Sequence, residues 1–257
     1  MPIGRDLSQL DPLYDKLLKC LFCGQEFKTK KIRSRFIKPV RTETDFYQIY
    51  EEGQLNPLHY YVAVCPGCAF AFTEEFTAFI SARIRPEVQA ELVRWRAGNS
   101  KNYCEKRTLP EAIETYTRAL KLTELLKEKN ITQASLYVRL AWIYRGQSDL
   151  ANEKRYLQLA ADFYEQSFIT GDFAGTNLTE VQLLYMLGEL RRRLGDYRGA
   201  VNNFSKVVQH PDRTRYNKFV NMARDQWKVA VEDYRKMKRA AEEDLDEYED
   251  VVRRKKK

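Results

Sequence analysis

The chain has 257 residues, of which 44% are hydrophobic and 31% are charged, and it carries a net charge of +8. This composition excludes a disordered chain and predicts a folded protein long enough for two domains. No apolar run approaches the roughly 20 residues of a membrane-spanning helix, so we expect no membrane association. The first eleven residues contain Arg5, Asp6 and Asp11 and no apolar core. We therefore expect a cytoplasmic protein without a secretory signal.

Two Cys-x-x-Cys pairs organise the N-terminal part of the sequence. We call Cys20 and Cys23, with the two residues between them, the first knuckle, and Cys65 and Cys68 likewise the second knuckle. Four thiolates in two such pairs are the ligand set of a closed tetrahedral zinc site. Four of the five cysteines lie in the knuckles, which favours a metal in a reducing compartment over disulfides. We predict a structural Zn²⁺ ion bound by Cys20, Cys23, Cys65 and Cys68.

Other roles for the cysteines and histidines have less support. Nothing around the knuckles resembles a thioredoxin βαβ unit, which disfavours a redox dithiol. His59 lies six residues before Cys65 and could replace a ligand, but a partly buried strand histidine is the simpler interpretation. Cys104 has no activating base that the sequence can nominate, so we expect a buried helical residue. We predict that the protein is not an enzyme.

The segment between the knuckles is basic and is predicted to be extended. No acidic residue occurs over residues 28–41, and residues 29–36 alternate with a period of two, which predicts a strand. Residues 59–64 are rich in aromatic and β-branched side chains and predict a second strand that leads into Cys65. Strands beside two knuckles indicate a zinc-ribbon-like layout.

The basic segment also supports a nucleic-acid hypothesis. Basic side chains on a strand, with aromatic residues nearby, can contact phosphates and stack on bases. The alternative is a solvated strand face whose charge is balanced by Glu43, Asp45, Glu51 and Glu52. If the segment binds nucleic acid, the predicted contact residues are Lys28, Lys30, Lys31, Arg33, Arg35 and Lys38.

After the second knuckle the pattern becomes helical. Thr73 is predicted to cap a helix that Pro86 ends, and residues 86–97 are predicted to form the next one. Residues 98–100 are the predicted linker, which places the domain boundary between residues 73 and 100.

From Thr108, which begins a capping box, helix follows helix. Residues 184–207 have the order and spacing of a tetratricopeptide repeat, in which small Gly188 and Ala200 let two helices approach closely. A break at residues 171–179 separates this repeat from more degenerate earlier copies. Such repeats stack into a solenoid with an extended concave surface.

The predicted fold is mainly α, a tetratricopeptide-like α-solenoid with a small N-terminal zinc-ribbon-like β module. We predict three parts: the module over residues 1–80, the helical domain over 81–234, and a charged helix end with a basic tail over 235–257. Residues 212–249 are expected to form a terminal helix that covers the open end of the solenoid, and residues 253–257 a frayed tail.

A solenoid of this kind predicts a non-enzymatic scaffold or adaptor that binds a protein or peptide partner. The competing prediction is a nucleic-acid-associated regulator that binds through the basic strand. The sequence leaves the oligomeric state open. The predicted partner-binding residues on the first helices of the repeats are Tyr137, Arg139, Trp142, Arg145, Tyr185, Glu189 and Arg192.

Five segments carry a resemblance to a bacterial family known as domain of unknown function 2225, and the resemblance extends over most of residues 18–215. Cys20 and Cys23 begin the resemblance, which continues through Asn56-Pro57-Leu58 and Tyr60-Tyr61-Val62, the run from Cys65 to Ala71, the run from Leu140 to Arg145, and the run from Leu184 to Gly195. The resemblance implies two zinc knuckles joined to tetratricopeptide-like helices in a cytoplasmic protein. It implies no catalytic residue. Ala69 stands where a glycine often follows the second knuckle, which affects the turn and not the ligands.

Overall fold

The computed structural model describes residues 10–98 and 101–255, with side chains through residue 240 and at Glu242. The prediction of a mainly helical protein with a small N-terminal antiparallel β region is confirmed. The chain divides into two compact units, Met1–Tyr156 and Leu157–Lys257. Whether residues 1–80 fold as a module of their own stays a prediction.

Three antiparallel strand pairs make up the β region. The longest is the hairpin of β1 and β2, in which Leu13 lies opposite Ile32 and Lys19 opposite Glu26. Each knuckle forms the connection within one hairpin, the first between β1 and β2 and the second between β5 and β6. The strands are β1 Leu13–Lys19, β2 Glu26–Ile32, β3 Arg41–Thr42, β4 Gln48–Ile49, β5 Ala63–Val64 and β6 Ala71–Phe72.

The two predicted strands between the knuckles are only partly correct. The strand predicted over residues 29–36 begins earlier and ends at Ile32, and Ser34–Phe36 forms a 3₁₀ helix instead. The strand predicted over residues 59–64 is reduced to Ala63–Val64, because Pro57–Tyr60 also forms a 3₁₀ helix. Asn56 caps that helix through its side chain, which accepts a hydrogen bond from the amide of residue 58 at 2.9 Å.

The helix predicted to begin after Thr73 is wrong. Thr73 is instead the first residue of a turn, in which its carbonyl accepts a hydrogen bond from the Phe76 amide at 3.2 Å. The amide and hydroxyl of Thr77 then donate to Glu128, which holds this segment against the end of α2 (Leu109–Leu126). These long-range contacts replace helical hydrogen bonds. Pro86 does lie in the first turn of a helix, as predicted.

Capping residues explain the main helix boundaries. The capping box predicted at Thr108 is present, and Thr179 forms a second one. Gly195 ends a helix with a left-handed φ of 84°, as its position after Leu194 predicted. Asn99 and Ser100 of the predicted linker lie outside the described residues. The helices are α1 Arg85–Gly98, α2 Leu109–Leu126, α3 Asn130–Gly146, α4 Leu150–Thr170, α5 Glu180–Arg193, α6 Tyr197–Gln209 and α7 Asn217–Lys255.

In the first unit, the segment before the second knuckle packs on α2 and α3. Tyr116 of α2 is fully buried, and its hydroxyl donates to the Leu58 carbonyl at 2.9 Å. Its ring stacks on Tyr61, whose hydroxyl lies 3.1 Å from the Ser135 hydroxyl of α3. The β region and the helices of this unit therefore share one core.

In the second unit, α5 packs closely against α6. A Cβ atom at Gly188 would lie 2.7 Å from the ring of Phe204, so the glycine permits the contact. The predicted terminal helix is present as α7, which buries Val220, Ala223 and Ala230. Its backbone is helical through Lys255, whereas the last two residues of the predicted tail lie outside the described part. Among the described residues, none of the helices has the length and apolar character that crossing a membrane requires.

Candidate metal centre

The four knuckle cysteines converge on one point. Their sulfur atoms all lie within 4.8 Å of one another. The Sγ atoms of Cys20 and Cys68 are 3.6 Å apart, and those of Cys23 and Cys65 are 3.7 Å apart. A zinc ion with bonds of about 2.3 Å to four sulfurs requires edges of about 3.8 Å. The four cysteines therefore fit a tetrahedral metal ion, as the sequence predicted, and could hold one.

The two knuckles have the same backbone hydrogen bonds. The amide of Cys20 donates to the residue 25 carbonyl at 2.9 Å, and that of Cys65 donates to the residue 70 carbonyl at 2.9 Å. The amide of Gly24 donates to the Cys20 carbonyl at 3.0 Å, and the amide of Ala69 donates to the Cys65 carbonyl at 2.8 Å. Two equivalent turns thus present two pairs of sulfurs to a common centre.

Aromatic side chains from the two hairpins that carry the knuckles pack against one another. Phe22 stacks on Phe70 with ring centroids 5.7 Å apart, and Phe27 meets Phe72 edge to face at 6.3 Å. Arg85, at the start of α1, lies over the Phe22 ring and donates to the Phe22 carbonyl at 2.6 Å. The hairpins are therefore held together by apolar packing as well as by their sulfur atoms.

Contacts among the knuckle thiols shift the pKa values of Cys20, Cys65 and Cys68 in different directions. Hydrogen bonds from Cys20 and Cys68 lower the pKa of Cys65 to about 2. The hydrogen bond with Cys65 raises the pKa of Cys20 to about 12, and hydrogen bonds with Cys20 and Cys65 raise the pKa of Cys68 above its usual range. A bound cation would replace the protons on Cys20 and Cys68 and stabilise the thiolates together.

A cationic cleft of about 250 Å³ adjoins the second knuckle. Arg96, Lys101 and Arg118 line it, and Glu114 contacts Lys101 at 3.3 Å and Arg118 at 2.8 Å. Burial would raise the pKa of Glu114, but hydrogen bonds from Tyr103, Arg118 and Lys101 lower it to about 2. A divalent ion on the four thiolates would carry a net charge of about −2, which the surplus of cations in this cleft would partly offset.

Arg107 is a structural residue that the sequence did not indicate. Its buried guanidinium donates to the carbonyls of Tyr103 at 2.6 Å, His59 at 3.1 Å and Val62 at 2.6 Å. It thereby connects the segment that precedes α2 to the segment that enters the second knuckle. No sequence signal identifies such a role, because the acceptors are backbone carbonyls.

Neither His59 nor Cys104 belongs to the group of four cysteines. His59 belongs to the 3₁₀ helix before the second knuckle, and the cysteine group does not include it. Burial, followed by the nearby Arg107, lowers the pKa of His59. Cys104 is buried, as expected, but lies before α2 rather than in a helix. Its thiol donates to the Val64 carbonyl at 3.5 Å, and burial raises its pKa.

Comparison with known proteins identifies the family. The model of a bacterial family, described as an uncharacterized protein conserved in bacteria and named DUF2225, matches residues 13–230. The chain belongs to the DUF2225 family. The resemblance seen in the knuckles and helices is therefore confirmed.

A curated relative of this DUF2225 chain is an uncharacterized protein of Borreliella burgdorferi. The two are 25% identical over 165 residues, which are 58% of this chain and 59% of the relative. The match thus spans about three fifths of each protein. No solved structure matches the chain.

The predicted nucleic-acid residues of this DUF2225 protein do not share one exposed face. Burial lowers the pKa of Lys31 to about 8, and its ammonium donates to the carbonyls of residues 60 and 61. Lys30 pairs with Asp15 across the hairpin at 2.8 Å, and Arg33 donates to a main-chain carbonyl at 3.1 Å. Nucleic-acid binding stays a prediction. The three residues that are exposed are Lys28, Arg35 and Lys38.

Four of the predicted partner-binding residues belong to α3. Tyr137 is buried and stacks on Tyr156, while Arg139 lies over the Tyr61 ring, 4.0 Å from its centroid. The remaining two, Trp142 and Arg145, lie at the end of α3 and bind the β3–β4 hairpin: the Trp142 indole donates to Asp45 at 3.1 Å, and Arg145 pairs with Glu43 and Asp45, each at 2.8 Å. These side chains thus have intramolecular partners that the sequence did not indicate, and their role toward another protein stays a prediction.

The other three predicted partner-binding residues belong to α5. Tyr185 and Glu189 are fully buried. Glu189 accepts from Arg192 at 2.8 Å and from Arg193 at 3.1 Å, and Arg192 also lies 3.6 Å from Asp233 of α7. A partner that contacts α5 would therefore meet the arginines before it meets Tyr185 or Glu189.

Proposed function

We propose that this protein is a non-enzymatic adaptor, in which a structural zinc ion stabilises the N-terminal β region and tetratricopeptide-like helices bind a protein partner. The convergence of four thiols within 4.8 Å is the observation that carries the proposal. Four protein ligands complete the coordination of a tetrahedral zinc ion and leave no position for water or substrate. The metal would therefore serve folding rather than catalysis.

Zinc is preferred because of the donor set. Four thiolates with tetrahedral spacing suit zinc, whereas calcium and magnesium require oxygen ligands. All five cysteines are free thiols, so we place the protein in a reducing compartment such as the cytoplasm.

The adaptor role rests on the helices. α5 and α6 are joined by a short connection and pack closely at Gly188, which is how the helices of a tetratricopeptide unit associate. Stacked helix pairs of this kind present extended surfaces to peptides. The step from this packing to a bound partner is an analogy with the repeat class.

Two measurements test the proposal. Elemental analysis of protein purified without added metal is expected to find one zinc per chain, and none in the Cys20→Ser/Cys65→Ser variant. A tagged pull-down with nuclease treatment is expected to retain one or a few proteins. Finding iron instead of zinc would refute the assignment of the metal as zinc. Recovery of nucleic acid, with loss of all protein partners after nuclease treatment, would favour the nucleic-acid regulator.

A further inference from the structure

A cleft of about 410 Å³ lies between the β3–β4 hairpin, the loop that follows it, and the end of α3. It lies entirely within the first unit and is of a size that accommodates small ligands or a few side chains. Trp142 and Arg145, which the helical pattern predicted as partner-binding residues, both line it. The sequence pattern and the cleft therefore indicate the same end of α3 independently.

The walls of the cleft are fixed by buried polar contacts. The Asp45 carboxylate is fully buried, accepts from the Trp142 indole at 3.1 Å and lies 2.8 Å from the Arg145 guanidinium. Arg145 also pairs with Glu43 of the hairpin at 2.8 Å. At Gly146, a Cβ atom would lie 2.9 Å from the Tyr47 hydroxyl, so the glycine permits the hairpin to approach α3. The cleft is therefore preformed.

The lining suits the main chain of a peptide. Gln48, Gln54 and Gln147 are exposed carboxamides at the cleft, and such groups both donate and accept hydrogen bonds. Tyr50 and Trp142 add half-buried aromatic rings to the same lining. Carboxamides beside aromatic rings match alternating main-chain and side-chain contacts of an extended segment.

The charge around the cleft selects a cation. Arg145 contacts three carboxylates, those of Glu43, Asp45 and Glu153, at 2.6 to 2.8 Å. Glu51 adds a fourth, exposed carboxylate at the rim, and Arg41 is the second cation, paired with Glu43 at 3.0 Å. Among the residues that line the cleft, two carboxylates, those of Glu43 and Glu51, stand against one guanidinium group, that of Arg145, so the lining is acidic although the whole chain has a net charge of +8.

We propose that this cleft binds an extended basic segment of a partner protein, with a lysine or arginine side chain placed between Glu51 and the rings of Tyr50 and Trp142. A carboxylate beside aromatic faces stabilises a cation both by charge and by cation–π contact. The inference rests on the proposed adaptor function, for which it specifies the site and the chemistry of the partner.

The test is a selection of random twelve-residue peptides displayed on phage against the full-length protein. Recovered peptides are expected to contain lysine or arginine and to bind Glu51→Lys at least about tenfold more weakly than the wild type. Glu52→Lys is the matched control, because Glu52 is exposed, adjacent and outside the cleft lining, and it makes the same change in net charge. Peptides should bind this variant as they bind the wild type.

Three outcomes would overturn the inference: no enrichment, enrichment of acidic peptides, or equal loss of binding in both variants. A protein recovered in the pull-down that binds wild type and Glu51→Lys equally would leave the adaptor function intact and refute the cleft. Thermal unfolding and circular dichroism of both variants test whether they are folded. A loss of binding can then be distinguished from a loss of structure.

Discussion

Gly24 and Ala69 adopt the same left-handed backbone conformation, with φ of 76° and 67°, each four residues after the first cysteine of its knuckle. The conformation strains a residue with a Cβ atom by roughly 1–2 kcal/mol, and glycine avoids that strain. Ala69 thus marks where the second knuckle departs from the first. The hydrogen bonds of the two turns are nevertheless the same, so the departure affects stability and not ligand geometry.

We expect Ala69→Gly to raise the free energy of unfolding by about 0.5 kcal/mol, because relief of strain exceeds the added flexibility of glycine in the unfolded chain. The reciprocal change Gly24→Ala should lower it by about 1 kcal/mol. No atom lies within 4 Å of a Cβ placed there, so strain alone would act. Urea unfolding of the metal-loaded protein measures both. Destabilisation by Ala69→Gly would contradict the assignment of strain.

Metal removal should loosen residues 18–70 and leave the helices folded. The two hairpins are joined by the shared sulfur site and a small aromatic cluster, whereas α2 and α3 bury large side chains such as Leu122 and Leu140. Hydrogen exchange after chelation should therefore increase mainly around the knuckles. Complete loss of the helical circular dichroism signal on chelation would show instead that the whole fold depends on the metal.

Metal affinity should rise with pH. The raised pKa values of Cys20 and Cys68 keep both thiols protonated near neutral pH, so the metal must displace these protons. At pH values below the thiol pKa, each proton that the metal displaces makes the apparent affinity rise about tenfold when the pH rises by one unit. Competition with a chromophoric chelator between pH 6 and 8 measures the slope. A flat profile would mean that the metal encounters thiolates that are already ionised.

Arg107→Met should destabilise the protein by about 3 kcal/mol, because backbone carbonyls that the guanidinium now satisfies would be buried without a donor. Arg107→Lys should cost less, because its ammonium still offers three N–H donors, although these lack the forked geometry of the guanidinium. Lys106→Met is the control, since Lys106 is exposed and adjacent. Urea unfolding is the measurement, and equal effects of Arg107→Met and Lys106→Met would refute the role of Arg107.

Gly188→Ala should destabilise the second unit by about 1–2 kcal/mol. The added methyl group overlaps the Phe204 ring, and this cost exceeds the higher helix propensity of alanine. A double-mutant cycle with Phe204→Leu tests the cause, since the smaller side chain should reduce the penalty. Additive effects in the double variant would show that the destabilisation by Gly188→Ala does not come from the contact with Phe204.

Several features could be derived from the sequence because they depend on neighbouring residues. The spacing within each knuckle identified Cys20 and Cys65 and their partners, and the capping box at Thr108 and the glycine at 195 identified helix boundaries. The period-two pattern located β2 only approximately. For residues 59–64, aromatic and β-branched composition suggested a strand where Asn56 and Pro57 start a 3₁₀ helix, because local capping outweighs a weak strand preference.

By itself, the sequence determined the four cysteines that converge and the mainly helical fold, since these follow from spacing and periodicity along the chain, and the resemblance of its motifs indicated the family. Only the tertiary structure decided that Asp45 binds Arg145, that Arg107 connects backbone carbonyls far apart in sequence, and that Tyr185 is buried. These contacts join segments up to 100 residues apart, as the Asp45–Arg145 pair shows. A charged or aromatic side chain looks the same in a sequence whether it faces solvent or a distant partner, and only packing separates the two.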